Sequence, residues 1–277
     1  MNVAVKHITE YSYSIPATLG PHVFRLRPRC DGTLRLLDFM LKIDPAPTLI
    51  TDCLDLEGNL VTHAWFQGVT DRLKVTTRFT VETLRTNPFD YVLDDRVKSL
   101  PLAYPHDIAP ALTCYCAREN NAAILDFASG IARAVDWHTA DFLTGLNNAI
   151  HGMSEKIIRE TGAPQPAEVT LREQSGSCRD LAVLFIEAAR AFGLAARFVS
   201  GYQKGSEEFV HRYMHAWAEV YLPGGGWRAY DPTLGLAVAD SHVALAASRD
   251  PIGATPISGG FGGAGVSSTM QVQLQIT

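Results

Sequence analysis

The chain has 277 residues, with 24 Lys+Arg against 29 Asp+Glu, nine His, five Cys, 47% hydrophobic and 19% charged residues. That length suits one large or two ordinary domains and needs neither disulfides nor a structural metal to fold. A net charge of −5 with no dense Lys/Arg run has the wrong sign for nucleic-acid phosphates or anionic lipid, so neither nucleic acid nor membrane is expected as a partner.

Residues 1–7 carry no charged region followed by an apolar run, and no stretch reaches the ~18 apolar residues that span a bilayer, which predicts a cytoplasmic protein. From residue 3 to about 83 the chain reads as strands. Leu73, Val75, Phe79 and Val81 alternate with Lys74, Thr76, Arg78, Thr80 and Glu82, the period of a half-buried strand. Gly58-Asn59 stands where a turn between two strands needs it. Residues 1–95 are therefore expected to form an antiparallel β-sandwich domain.

Pro88, Pro101, Pro105 and Pro110 punctuate the next stretch, and residues 96–165 read as a linker and helices of a second domain. Residues 126–135 form a weak helix candidate. Phe142, Leu146, Ala149, Ile150, Met153 and Ile157 recur at helical spacing, predicting a helix that ends near Thr161-Gly162. Residues 166–277 then read as a catalytic core: a helix over about 181–192, strands at 196–202, 214–222 and 226–230, a Gly-rich stretch at 251–265 and a closing strand on Val272, Leu274 and Ile276.

Several signals point elsewhere and fail on context. Gly260-Phe261-Gly262-Gly263-Ala264-Gly265 has dinucleotide-binding spacing, but a strand-like segment follows it where a helix is required, so a surface loop is expected. Cys114-Tyr115-Cys116 lacks the second ligand pair of a zinc site, and no dense acidic loop suits calcium, so neither metal nor cofactor is expected. Cys30 and Cys53 read as packing residues. His7, His138 and His151 have no recognisable partner, and His63-Ala64-Trp65 repeats His215-Ala216-Trp217 with no thiol ahead of it.

The stretch from Gln174 to Asp231 carries the chemistry. Cys178 follows Gly176-Ser177 and opens an apolar helix, where the macrodipole and free backbone N–H groups favour a thiolate and can hold an oxyanion. A thiolate attacking an amide needs a general acid for the leaving amine. His215 begins a strand with Trp217, Glu219 and Tyr221 on its own face and Ala216, Ala218, Val220 and Leu222 on the other, the latter suited to packing on the Cys178 helix. Asp231, 16 residues later across a hairpin turned by Pro223-Gly224-Gly225-Gly226, is the acceptor that would orient the imidazole. Asp180 suits either the helix start or the site, and Trp217 either shields the His–Asp pair or fills the core. Arg197 and Tyr202 are further candidates for the cleft.

The segments around Gly-Ser-Cys-Arg-Asp (176–180), His-Ala-Trp-Ala-Glu-Val-Tyr-Leu-Pro (215–223) and Gly-Trp-Arg-Ala-Tyr-Asp-Pro-Thr (226–233) closely resemble those of bacterial transglutaminase-like proteins. Tyr11-Ser12-Tyr13, Arg25-Leu26-Arg27-Pro28-Arg29 and Gly58-Asn59 resemble the β-rich region that precedes that core in bacteria. The resemblance implies an α+β protein in which the β-sandwich is followed by a papain-like core, a nucleophile helix packed on an antiparallel sheet. It implies Cys178 as nucleophile, His215 as general acid/base and Asp231 as its partner, acting on a protein or peptide substrate through a thioester resolved by water or an amine. Gln174, by analogy with papain-like enzymes, is a candidate oxyanion donor. The alternative is a non-catalytic protein-binding scaffold of the same fold.

Overall fold

Buried and exposed residues alternate along β1 (Asn2–Phe24), with Val3, Val5, His7 and Thr9 turned inward. The computed structural model describes residues 1–205 and 213–277. β2 (Leu34–Asp44), β3 (Leu49–Leu54), β4 (Leu60–Trp65) and β5 (Val69–Thr83) follow β1 in an antiparallel sheet ordered β2-β5-β1-β4-β3. After a proline-punctuated passage come α1 (Ala109–Leu112), α2 (Ala122–Ala134) and α3 (Thr139–Met153). α4 (Ala167–Glu173) lies between the two-residue strands β6 (Glu155–Lys156) and β7 (Ser175–Gly176), which pair in parallel. Next are α5 (Cys178–Arg190), β8 (Ala196–Gln203), β9 (His215–Leu222), β10 (Gly226–Asp231), β11 (Leu236–Ala237) and β12 (His242–Ser248), the strands forming an antiparallel sheet ordered β11-β10-β9-β8-β12. The chain ends with β13 (Ile257–Gly262) and β14 (Ser268–Ile276).

The α+β class and the helix-on-sheet core are as expected. Leu181, Ala182, Phe185 and Ala189 of α5 share a core with Ala216, Ala218, Val220 and Leu222, the small apolar face of β9. No helix among the described residues is long and apolar enough to cross a membrane.

Other expectations change. The N-terminal strands are antiparallel as expected and belong to one seven-stranded sheet whose second layer comes from the core: Tyr202 of β8 and Val243 and Leu245 of β12 pack with Val5, Leu73, Val75 and Phe79. β14, expected to close the catalytic core, pairs instead with residues 5–13 of β1, and β13 with residues 18–24. Gly260 and Gly262 belong to β13 and residues 263–265 to the turn before β14, so the glycine-rich motif is part strand and part turn with a strand, not a helix, behind it. The predicted long helix stops at Met153, because Ser154 is extended (ψ 132°) and Glu155 donates its backbone N–H to Gln174. Ile157, in helical phase by sequence, is therefore outside α3. Cys30 and Cys53 are exposed; Cys53 lies on β3, an edge strand with all six residues open to solvent.

A polar clamp joins the two sheets. Asn59, fully buried after the turn at Gly58, donates Nδ2 to the Ala247 carbonyl (2.8 Å) and accepts the Ala247 N–H at Oδ1 (2.9 Å), while Arg29 Nη1 reaches the same oxygen (2.5 Å). Asn59→Ala would leave the Ala247 N–H and C=O buried without partners, each costing ~1–3 kcal/mol. A loss of ~2–4 kcal/mol in urea denaturation is expected; a loss below ~1 kcal/mol would mean that the clamp does not couple the sheets.

Candidate active site

α5 starts at Cys178 because the turn before it is locked. Gly176 has no room for a side chain, since a Cβ there would lie 2.9 Å from Asp180 Cβ and 3.2 Å from Thr170 Cγ2. Asp180, fully buried, accepts the Ser177 N–H (2.8 Å) and hydroxyl (2.7 Å) on Oδ2 and the Gln165 N–H (2.7 Å) on Oδ1, and pairs with Arg159. Burial opposes its charge, yet these bonds from Gln165, Ser177 and Arg159 hold its pKa below the ordinary value. The structure thus places Asp180 at the helix start, fastening the cysteine-bearing turn. Cys178 itself is partly exposed.

His215 and Asp231 meet across the β9–β10 hairpin, whose register sets Tyr230 opposite Ala218. His215 Nε2 lies 2.6 Å from Asp231 Oδ2, leaving the other ring nitrogen for Cys178, which lies near enough to help raise the pKa of the imidazole. Burial works against a charged imidazole here, but the bond to Asp231 and the neighbouring Cys178 outweigh it and raise its pKa. Burial likewise works against the Asp231 carboxylate, and the bonds from His215 and His242 outweigh it, holding the pKa well below the usual carboxylate range. Both shifts favour an imidazolium beside a carboxylate. Asp231 Oδ1 accepts the backbone N–H groups of Thr233 (2.9 Å) and Leu234 (3.2 Å).

A second imidazole, absent from the sequence reading, completes this cluster. His242 Nε2 is 2.9 Å from Asp231 Oδ2, and its side chain is 1% exposed. The three side chains are close enough to hold an ion, with ligand atoms within 4.8 Å of one another. Both Nε2 atoms nevertheless point at one carboxylate oxygen, the arrangement of two N–H donors on an acceptor rather than of lone pairs around a shared centre.

Trp217 is buried against the cluster, its ring 5.0 Å from that of His242 and 6.2 Å from that of His215. Trp217 and His242 also line a cavity of about 320 Å³, together with Arg29, Arg197, Glu219 and Trp227, and Cys178 is not part of its lining. Arg197 is consumed there by Glu219 (2.7 Å) and by the Trp227 ring (4.0 Å). Tyr202 is likewise spent in the inter-sheet core on His7 Nδ1 (2.7 Å). Gln174 is exposed and caps α4 in the left-handed region (φ 49°), where its carbonyl accepts the Glu155 N–H. His151, taken as partnerless, is bonded to the Thr233 carbonyl (3.0 Å), just past Asp231.

Residues 3–82 match the bacterial transglutaminase-like N-terminal region, and residues 138–232 match the transglutaminase-like superfamily. An uncharacterised protein of Mycobacterium leprae is 25% identical over 279 residues, 99% of this chain and 97% of that protein. A protein-glutamine gamma-glutamyltransferase of Pseudomonas aeruginosa is 36% identical over 84 residues, 28% of this chain and 13% of the relative. Among solved structures, a candidate cysteine protease from Cytophaga hutchinsonii has a TM-score of 0.68 at 21% identity, covering 100% of this chain and 91% of that one, which shows a shared fold.

Proposed function

The chain belongs to the transglutaminase-like superfamily, with the bacterial N-terminal region ahead of its core, and on that premise we propose that it is a thiol-dependent amide-bond enzyme using Cys178, His215 and Asp231. The single observation that carries this reading is the Asp231–His215 bond of 2.6 Å, made beside Cys178 at the head of α5. The Cys178 sulfur attacks the amide carbonyl while the backbone N–H groups at the start of α5, which lack intrahelical acceptors, face the developing oxyanion. The C–N bond breaks as the His215 imidazolium gives its proton to the leaving amine, and the acyl group remains on sulfur as a thioester. Water or a primary amine then attacks, His215 takes the proton of that nucleophile, and the thiolate leaves. Asp231 keeps the imidazole turned toward sulfur throughout and balances its charge.

The test is the pH dependence of iodoacetamide alkylation, read at each cysteine by mass spectrometry because Cys30, Cys53 and Cys114 are exposed. An ordinary thiol, of pKa about 8.5, has only about 0.3% thiolate at pH 6. Cys178 is expected to alkylate at about pH 6 within an order of magnitude of its rate at pH 9, and His215→Ala to slow the pH 6 reaction by about 100-fold. A Cys178 that follows the pH profile of the exposed cysteines would overturn the reading. Incorporation of a labelled primary amine into a glutamine-containing protein separates amine transfer from hydrolysis.

A further inference from the structure

We propose that His242 is a positioning residue for the Cys178–His215 pair, holding the Asp231 carboxylate in the orientation that His215 needs. The inference rests on the reading of Cys178, His215 and Asp231 given above.

A carboxylate is free to turn about its terminal torsion, which is broad and roughly two-fold. The backbone N–H groups of Thr233 and Leu234 hold only Oδ1. His215 moves its proton in the reaction, so its own bond to Oδ2 changes strength during the cycle. His242 supplies a second donor on Oδ2, at 2.9 Å, that does not take part in the chemistry.

The tautomer follows from the partners. An ionised carboxylate only accepts, so His242 Nε2 carries a proton; the Ser241 hydroxyl, 3.0 Å from Nδ1, is then the donor to that nitrogen. Burial disfavours the charged ring and lowers its pKa, the bond to Asp231 notwithstanding, which favours the neutral ring as the donor.

The ring is itself held. Its strand pairs His242 with Gln203 of β8, and the Trp217 ring of β9 stands edge-to-face against it. The titratable groups beside the ring are Cys178 from α5, His215 from β9 and Asp231 from β10, and the cavity that His242 lines also holds Arg29, Asp31, Arg85, Arg197 and Glu219. Along β8, Gly201 pairs with His215 on one side and Gln203 with His242 on the other, which is how a residue 11 positions beyond Asp231 reaches the same oxygen.

The test compares His242→Leu, which removes the donor, with His242→Gln, whose Nε2 lies where the imidazole Nε2 was. The readout is the ratio of the Cys178 alkylation rate at pH 6 to that at pH 9, with iodoacetamide as probe and folding followed by calorimetry. A purely structural His242 would lower the melting temperature without changing this ratio in the folded protein. His242→Leu is expected to lower the ratio at least tenfold and His242→Gln to keep it within threefold of the unmodified protein. If His242→Leu does not fold, His242→Asn, whose amide falls short of Oδ2, takes its place with the same expected loss. An unchanged ratio in the donor-less variant, or a Gln variant as impaired as it, overturns the proposal. An unmodified protein with no reaction at Cys178 near pH 6 would instead overturn the underlying reading, so the two failures are distinguishable.

Discussion

Asp231→Ala should cost the protein both its chemistry and a large part of its stability. Asp231 is fully buried and accepts four hydrogen bonds, from His215, His242, Thr233 and Leu234. Removing the carboxylate strands two imidazoles and two backbone N–H groups away from water, and breaking a buried charged pair this way typically costs ~3–5 kcal/mol. Turnover should fall by about 10⁴, the order seen when the orienting acid of such a triad is lost. Asp231→Asn separates the two effects. Its Oδ1 can still accept from Thr233 and Leu234, but its NH₂ would confront two ring N–H groups, so activity should be lost while most of the stability survives. The pH dependence has a defined sign. The depressed pKa of Asp231 contributes stability above the unfolded carboxylate value that is lost as pH falls through the folded one. The raised pKa of His215 contributes stability below the unfolded imidazole value that is lost as pH rises through the folded one. Urea titrations across pH should show both losses in the unmodified protein and smaller ones in Asp231→Ala, where Asp180 keeps its own share of the acid-side loss; an Ala variant with unchanged stability would show that the cluster is solvated.

What the sequence made legible follows from how local each signal is. Cys178 at a helix start, the alternation around His215 and the hairpin returning Asp231 are short-range patterns, and each falls where the structure puts it. His242 gave no such signal. Its strand reads His-Val-Ala-Leu-Ala-Ala-Ser, too rich in alanine for a period-2 reading, and it becomes a strand because β8 pairs with it and Asn59 clamps Ala247. The C-terminal strand showed its alternation plainly, but a partner more than 250 residues away is not encoded in alternation, and its pairing with β1 emerged only in three dimensions. The end of α3 was misplaced for a related reason: the parallel pairing of Glu155-Lys156 with Ser175-Gly176 overrides the helical phase of Ile157.

Gly201→Ala should be the most damaging single-methyl substitution near the site. Gly201 lies in β8 opposite His215 on one side and Ala244 on the other. A Cβ there would sit 2.2 Å from the Val243 carbonyl oxygen and 2.7 Å from Trp217 Cη2, and the first of these is backbone that no rotamer change can clear. Trp217 cannot yield toward His242, whose ring already stands 5.0 Å from its own, so the methyl must push β12 off β8. Overpacking of this kind typically costs ~1–3 kcal/mol, and more where backbone blocks relaxation; ~3 kcal/mol or more is expected here, a fall in melting temperature of roughly 6–12 °C for a chain of this size. Displacing β12 also carries His242 away from Asp231, so the folded fraction of Gly201→Ala should show the same reduced pH 6 to pH 9 alkylation ratio at Cys178 as His242→Leu. Calorimetry and site-resolved alkylation on one preparation test both consequences. A Gly201→Ala protein that melts normally would mean that the two strands separate there at little cost, and one that is destabilised with an unaltered ratio would show that His242 stays on Asp231 when β12 moves.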